Sequence, residues 1–183
     1  MDAMGHQFLT IASVAGRICV GLVFLLAAAQ KMHHWRVLSG VIGNYRLLPR
    51  WAVAPASALL PPLEMTIAIL LLGGLAMRWT GVASIILLAL FATAMAINLK
   101  RGRDQIDCGC GQSFLKQSLR WTLVVRNAVL AALLLPPLVV TGPVTLDIAM
   151  AGASAGLAFF LLYLLFNTLA ALPRPDLRGH RFA

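Results

Sequence analysis

Five apolar stretches restrict the fold of this chain more than any other feature. They cover residues 8–30, 52–76, 80–99, 121–140 and 147–171. Each holds about 20 residues or more, enough to cross the hydrocarbon layer of a bilayer as a helix. In that layer no water can satisfy an open backbone group, so helices or closed barrels are the spanning solutions. The composition agrees: 60% of residues are hydrophobic, 11% are charged and the mean hydropathy is +0.86. A soluble domain is excluded. The predicted fold is an all-α integral membrane protein, one polytopic domain over residues 1–183 with about five transmembrane helices. Residues 1–7 carry no Lys or Arg. A signal peptide needs a basic leading region, so the first span reads as retained.

Charge gives orientation. The net charge of +9 could suggest nucleic acid, but the basic residues sit in short segments between spans. Of 15 Lys and Arg, twelve fall on one side: Lys31, Arg36, Arg46, Arg50, Lys100, Arg101, Arg103, Lys116, Arg120, Arg174, Arg178 and Arg181. Arg78 falls on the other, and Arg17 and Arg126 lie within spans. The asymmetry predicts a periplasmic N-terminus and a cytoplasmic C-terminus, with a bilayer and no nucleic acid as partner. Between the first two spans, Val37, Leu38, Val41, Ile42, Tyr45 and Leu48 recur at three- and four-residue intervals. That pattern predicts an amphipathic helix lying in the interface.

Polar residues inside spans are costly and mark pairing or function. Arg17 stands in the first span and Glu64 in the second, just after Pro61-Pro62, which should kink the helix. If the two spans are antiparallel, Arg17 and Glu64 differ in depth by about 5 Å at 1.5 Å rise per residue. An interhelical ion pair between them is the expectation. Cys19, in the same helix as Arg17, reads as a small apolar filler.

The segment 100–120 carries Cys108 and Cys110, separated by Gly109 and followed by Gly111. Three chemistries fit the spacing. The two thiols can form a tight, easily reduced disulfide suited to exchange, with Lys100, Arg101, Arg103 and Lys116 favouring the thiolate. They can be two free loop thiols. They can also be half of a zinc site completed by His33 and His34.

In order along the chain stand Arg17, Lys31, Tyr45 with Leu48-Pro49, Glu64 after Pro61-Pro62, Asn98, Arg101-Gly102 and Cys108-Gly109-Cys110-Gly111. This series resembles the MauE family, membrane proteins related to DoxX. It departs at Gly111-Gln112, where relatives often carry Phe-Gly. The resemblance implies a DoxX-like helical bundle in the bacterial inner membrane. It also implies a role in methylamine utilisation, the maturation of the disulfide-rich small (beta) subunit of periplasmic methylamine dehydrogenase. A thioredoxin-like, MauD-like protein is the implied partner. On that footing Cys108 and Cys110 are expected as a redox pair exchanging thiol and disulfide, with no metal. Arg17 and Glu64 are expected to hold the bundle or line a polar site. No cofactor is firmly implied. A rival reading, a quinone-linked thiol oxidoreductase, would place a quinone between spans beside Arg17 and Glu64. A second rival is a non-redox export or assembly scaffold, and a third a metal-binding membrane protein.

Overall fold

A computed structural model describes residues 3–103, 119–140 and 144–171. Seven helices occur among them: α1 (Ala3–His33), α2 (Trp35–Tyr45), α3 (Arg50–Gly73), α4 (Met77–Lys100), α5 (Trp121–Ala132), α6 (Leu135–Val139) and α7 (Leu146–Ala171). Five crossings are long and apolar enough to span a membrane: α1, α3, α4, α5 continued by α6, and α7. The protein is a multi-pass helical membrane protein. α3 runs as one helix through Pro55, Pro61 and Pro62. A proline inside a membrane helix is tolerated because neighbouring groups can resatisfy the freed backbone.

α1 is the centre of the bundle and packs against α3, α6 and α7. Its buried side chains include Val14, Val20, Phe24 and Ala28. α3 runs antiparallel to it, because Lys31 near the end of α1 meets Glu64 while Arg17 meets Leu71 and Leu72. A tight turn at Gly74–Ala76 returns the chain into α4. The main core joins Val20 and Phe24 of α1 to Ile67 and Leu71 of α3, Leu87 and Leu88 of α4, and Leu130 of α5. A smaller cluster of Met95, Leu119 and Leu123 seals α4 against the start of α5, with Tyr45 packed on it.

α7 lies parallel to α1 and shows most of its surface outward. Helices in lipid gain little from burying apolar surface, since the tails are as apolar as leucine, so close backbone approach supplies the contact. Gly152 and Gly156, four apart, make that approach. A Cβ at Gly156 would stand 2.7 Å from the Ala15 carbonyl oxygen and 2.8 Å from Cβ of Ile18. Backbone cannot move aside there.

Trp35, Trp51 and Trp121 are exposed at one end of the bundle and Trp79 at the other. Such aromatic belts mark the two interfaces of a bilayer. The described basic residues Lys31, Arg36, Arg46, Arg50, Lys100, Arg101, Arg103 and Arg120 gather at the first end, as alternating helices require. α2 turns Leu38, Val41, Ile42 and Tyr45 inward, while Trp35 and Val37 face out. Arg46, in the left-handed region at φ 49, ends the helix, so Leu48 lies beyond it.

Gly156→Leu should force α7 off α1 and lower stability by about 1–3 kcal/mol, the usual range for overpacking. Ala153→Leu, on the exposed side of α7, should leave the melting temperature in detergent unchanged. Equal melting of the two variants would mean that this contact does not hold α7.

Candidate functional site

The most buried charge in the bundle is Glu64, on α3, with no solvent exposure. Its partner is Lys31. The ammonium nitrogen lies 2.7 Å from Oε1 and 2.8 Å from Oε2, and its side chain is 7% exposed. Two charge-assisted bonds at this length are strong, and in a low-dielectric setting they are needed. Lys31 also lies 5.4 Å from the centroid of the Phe91 ring on α4. A cation held over an aromatic face gains further from the ring quadrupole. The pair therefore ties α1 to α3 and touches α4.

The expected ion pair between Arg17 and Glu64 does not form. Arg17 donates from Nη1 to the carbonyl oxygens of Leu72, at 3.2 Å, and Leu71, at 3.4 Å. These belong to the last turn of α3, where carbonyls lack partners within the helix and the dipole is negative. The guanidinium lies so close to Gly74 that a Cβ there would stand 2.6 Å from Nη1. Two things defeated the depth estimate. Arg17 meets α3 seven to eight residues past Glu64, about 11–12 Å further along at 1.5 Å per residue. Side chains on a helix also lean toward its N-terminus, so Lys31 reaches back into the bundle from the end of α1. Lys31 was read as a basic residue at the membrane edge. The signal that would have found it is its place one turn inside the helix end, combined with that lean.

A second polar contact joins α5 to α7. Arg126 Nη1 donates to Asn167 Oδ1 at 2.9 Å, and its guanidinium carbon lies 5.5 Å from the Tyr163 ring centroid. Asn167 escaped the sequence reading. It is the one amide side chain in an otherwise apolar span, and that isolation is the signal. Asn127 satisfies itself on the Leu123 carbonyl at 3.0 Å.

The other motif residues sort by role. Pro49 is the N-cap of α3, in extended conformation. Arg101 and Gly102 end α4: the Gly102 N–H donates to Leu99 O and the Arg103 N–H to Asn98 O, with Gly102 at φ 68. That is a Schellman cap, which needs a residue at ease with positive φ, and it explains the Arg101-Gly102 pair structurally. Asn98 is fully buried and donates to Ala94 O at 3.0 Å, while its Oδ1 has no hydrogen-bond partner among the described residues. Cys19 is buried in α1 as a free thiol among apolar neighbours. His33 and His34 stand edge to face at the end of α1, ring centroids 4.7 Å apart. Cys108, Gly109, Cys110 and Gly111 lie outside the described residues. The redox and zinc readings of the thiols therefore rest on sequence.

Beside the ion pair, between α2, α3 and α4, is a cavity of about 550 Å³. Lys31, Tyr45 and Thr93 are the polar residues of its lining. Leu38, Ile42, Leu60, Leu87, Phe91 and Met95 are among its apolar walls. Neither Arg17 nor Glu64, the two residues expected to line a ligand site, is part of the lining.

Fold and site together define a five-span helical membrane protein braced by a buried lysine–glutamate pair, with an apolar cavity at the basic end. Comparison with known proteins makes the class specific. The family model for methylamine utilisation protein MauE matches residues 9–140. The methylamine utilization protein MauE of Paracoccus denitrificans is 41% identical over 162 residues, covering 85% of this chain and 86% of that protein. The MauE of Methylorubrum extorquens is 44% identical over 150 residues, covering 78% and 80%, and that of Methylophilus methylotrophus 32% over 169, covering 90% and 88%. This chain belongs to the MauE family of methylamine utilisation proteins. No solved structure matches it.

Glu64→Gln should strand the Lys31 charge in the bundle and cost about 3–5 kcal/mol, the usual penalty for breaking a buried pair from one side. Lys31→Met combined with Glu64→Leu should accumulate in membranes better than either single change, because it removes both charges. Western quantification of membrane fractions reads the result. A double variant no better than the worse single one would show that the pair is not coupled.

Proposed function

We propose that this protein serves methylamine utilisation as a membrane accessory for maturation of the methylamine dehydrogenase small subunit. It does so by exchanging thiol and disulfide with a thioredoxin-like partner through Cys108 and Cys110. The observation that carries the reading is the Cys108-Gly109-Cys110-Gly111 run in a member of this family. It falls in the connection between Arg103, just past the cap of α4, and Leu119, just before α5. The flanking Lys100, Arg101 and Arg103 favour the thiolate form that attacks. Cys19, in contrast, is a buried free thiol within the bundle, and it is left out of the exchange.

The chemistry balances within the exchange. A thiolate attacks one sulfur of a disulfide and forms a mixed disulfide, releasing a thiolate. The second thiol then attacks, frees the first partner and closes the new disulfide. The dithiol that is oxidised gives up two electrons and two protons, and the disulfide that is reduced gains them. The thioredoxin-like partner resets the pair. The bundle supplies a rigid base for the segment, capped at Gly102 on one side and sealed by Leu119 and Leu123 on the other.

The Lys and Arg asymmetry supports an orientation with the N-terminus in the periplasm and the cysteine segment on the cytoplasmic side. The dehydrogenase subunit is periplasmic, so the first thiol partner would then be cytoplasmic, or electrons would cross the bundle. After reduction, an impermeant maleimide should label Cys108 and Cys110 in inverted vesicles and not in intact spheroplasts. Labelling from the periplasmic side would reverse the orientation and allow direct contact with a periplasmic partner.

Cys108→Ser or Cys110→Ser should abolish maturation of the dehydrogenase while leaving membrane insertion intact. A three-residue ring contributes little chain-entropy stabilisation, so its loss should separate chemistry from folding. One single variant should accumulate a mixed disulfide, visible on a non-reducing gel, since no internal thiol remains to release it. Normal maturation in the double Cys108→Ser, Cys110→Ser variant would replace the redox reading with a scaffold.

A further inference from the structure

We infer that the cavity between α2, α3 and α4 is a binding site for a neutral, carbonyl-bearing isoprenoid of the quinone class, its head at Lys31 and its tail leaving toward the lipid. The proposal concerns binding alone and stands independently of the thiol exchange proposed above.

Size comes first. About 550 Å³ lies within the usual range for small-molecule sites, roughly 300–1,000 Å³. The walls are almost wholly apolar, with Lys31, Tyr45 and Thr93 as the polar residues among them. A ligand that fits has a long apolar body and one small polar head. The cavity also has a way out. Leu48 and Leu90 of its lining are 45% and 60% exposed on the flank of the bundle, so a tail can pass between the end of α2 and α4 into the surrounding acyl chains.

The head is chosen by the ion pair. An ammonium has three N–H donors. Two are taken by Oε1 and Oε2 of Glu64, at 2.7 and 2.8 Å. The third remains to donate to an acceptor in the cavity, from a residue that is itself more than nine-tenths buried. Such a donor calls for an oxygen acceptor. An anionic head would suit a lone lysine, but this one is neutralised. A phosphate or carboxylate drawn to it would sit against the buried Glu64 carboxylate in a low-dielectric setting, where like charges repel strongly. A neutral carbonyl oxygen meets no such penalty. Phe91, which lines the cavity near the ammonium, adds an aromatic wall against which a flat conjugated ring can pack. A flat ring with a carbonyl acceptor and a branched apolar tail describes a quinone. A phospholipid offers ester carbonyls and apolar tails but no flat ring, and it brings a phosphate with it.

Decylubiquinone titrated into the full-length protein in detergent, followed by native mass spectrometry, tests the inference. The wild type should show saturable one-to-one binding. Ala94→Trp on α4 and Ala56→Trp on α3, each filling the cavity from a different wall, should weaken it at least tenfold. The Lys31→Met, Glu64→Leu variant, which keeps the apolar walls and loses the donor, should also bind at least tenfold more weakly. Phosphatidylglycerol added in tenfold excess over the quinone should not displace it. A melting curve shows which variants are folded, and binding is compared among those. Absence of saturable binding by the wild type would overturn the proposal. So would undiminished binding by a folded tryptophan variant or by the folded Lys31 double variant. Displacement by phosphatidylglycerol would overturn it too, and would make the cavity a groove for lipid chains.

Discussion

The rest of the structure depends on placing a full positive charge and a full negative charge inside a bundle that is otherwise hydrocarbon. Glu64 alone at that depth would cost several kcal/mol or would take up a proton, and Lys31 alone would draw out toward the interface. Together, with two bonds under 3 Å, they form a neutral unit that the interior can hold. The unit demands a particular alignment of α1 on α3, with the last turns of α1 beside the middle of α3. That alignment brings Arg17 to the other end of α3, where the carbonyl oxygens of Leu71 and Leu72 accept its N–H. One register thus satisfies both Arg17 and Lys31 of α1.

The same interior explains why helix association here uses different means at different contacts. α1 and α3 share an ion pair and an apolar core. α5 and α7 share the bond from Arg126 to Asn167. α1 and α7 share a long apolar contact that the close approach at Gly152 and Gly156 allows. Lipid offers no strong hydrophobic drive between spans, so polar bonds and close packing carry the assembly. The basic end of the bundle then gathers the features with chemical potential. These are the ion pair, the cavity under α2, the buried Asn98 and the capped end of α4, from which the cysteine-bearing segment departs.

Much of this was legible from the chain, and for an identifiable reason. Twenty-residue apolar runs have one common solution in a bilayer, so five spans and an all-α fold follow from length and hydropathy. The amphipathic period at Leu38, Val41, Ile42 and Tyr45 gives α2 with its inward face. Arg17 and Glu64 stood out as intramembrane charges because such residues are rare. The ordered series from Arg17 to Gly111 pointed to the MauE family.

Tertiary structure alone decided who meets whom. Sequence depth placed Arg17 near Glu64, but depth carries an error of several residues wherever a helix extends beyond its apolar run. Here α1 reaches from Ala3 to His33, past the predicted span at both ends. A shift of two turns changes every partner across an interface while leaving hydropathy untouched. Lys31 as the counter-ion, Asn167 as the partner of Arg126 and the cavity beneath α2 all depend on that axial register. The sequence determined which residues must find partners in the membrane. Only the packed bundle determined which partners they found, because pairing is set by register and side-chain lean, and neither leaves a trace in composition.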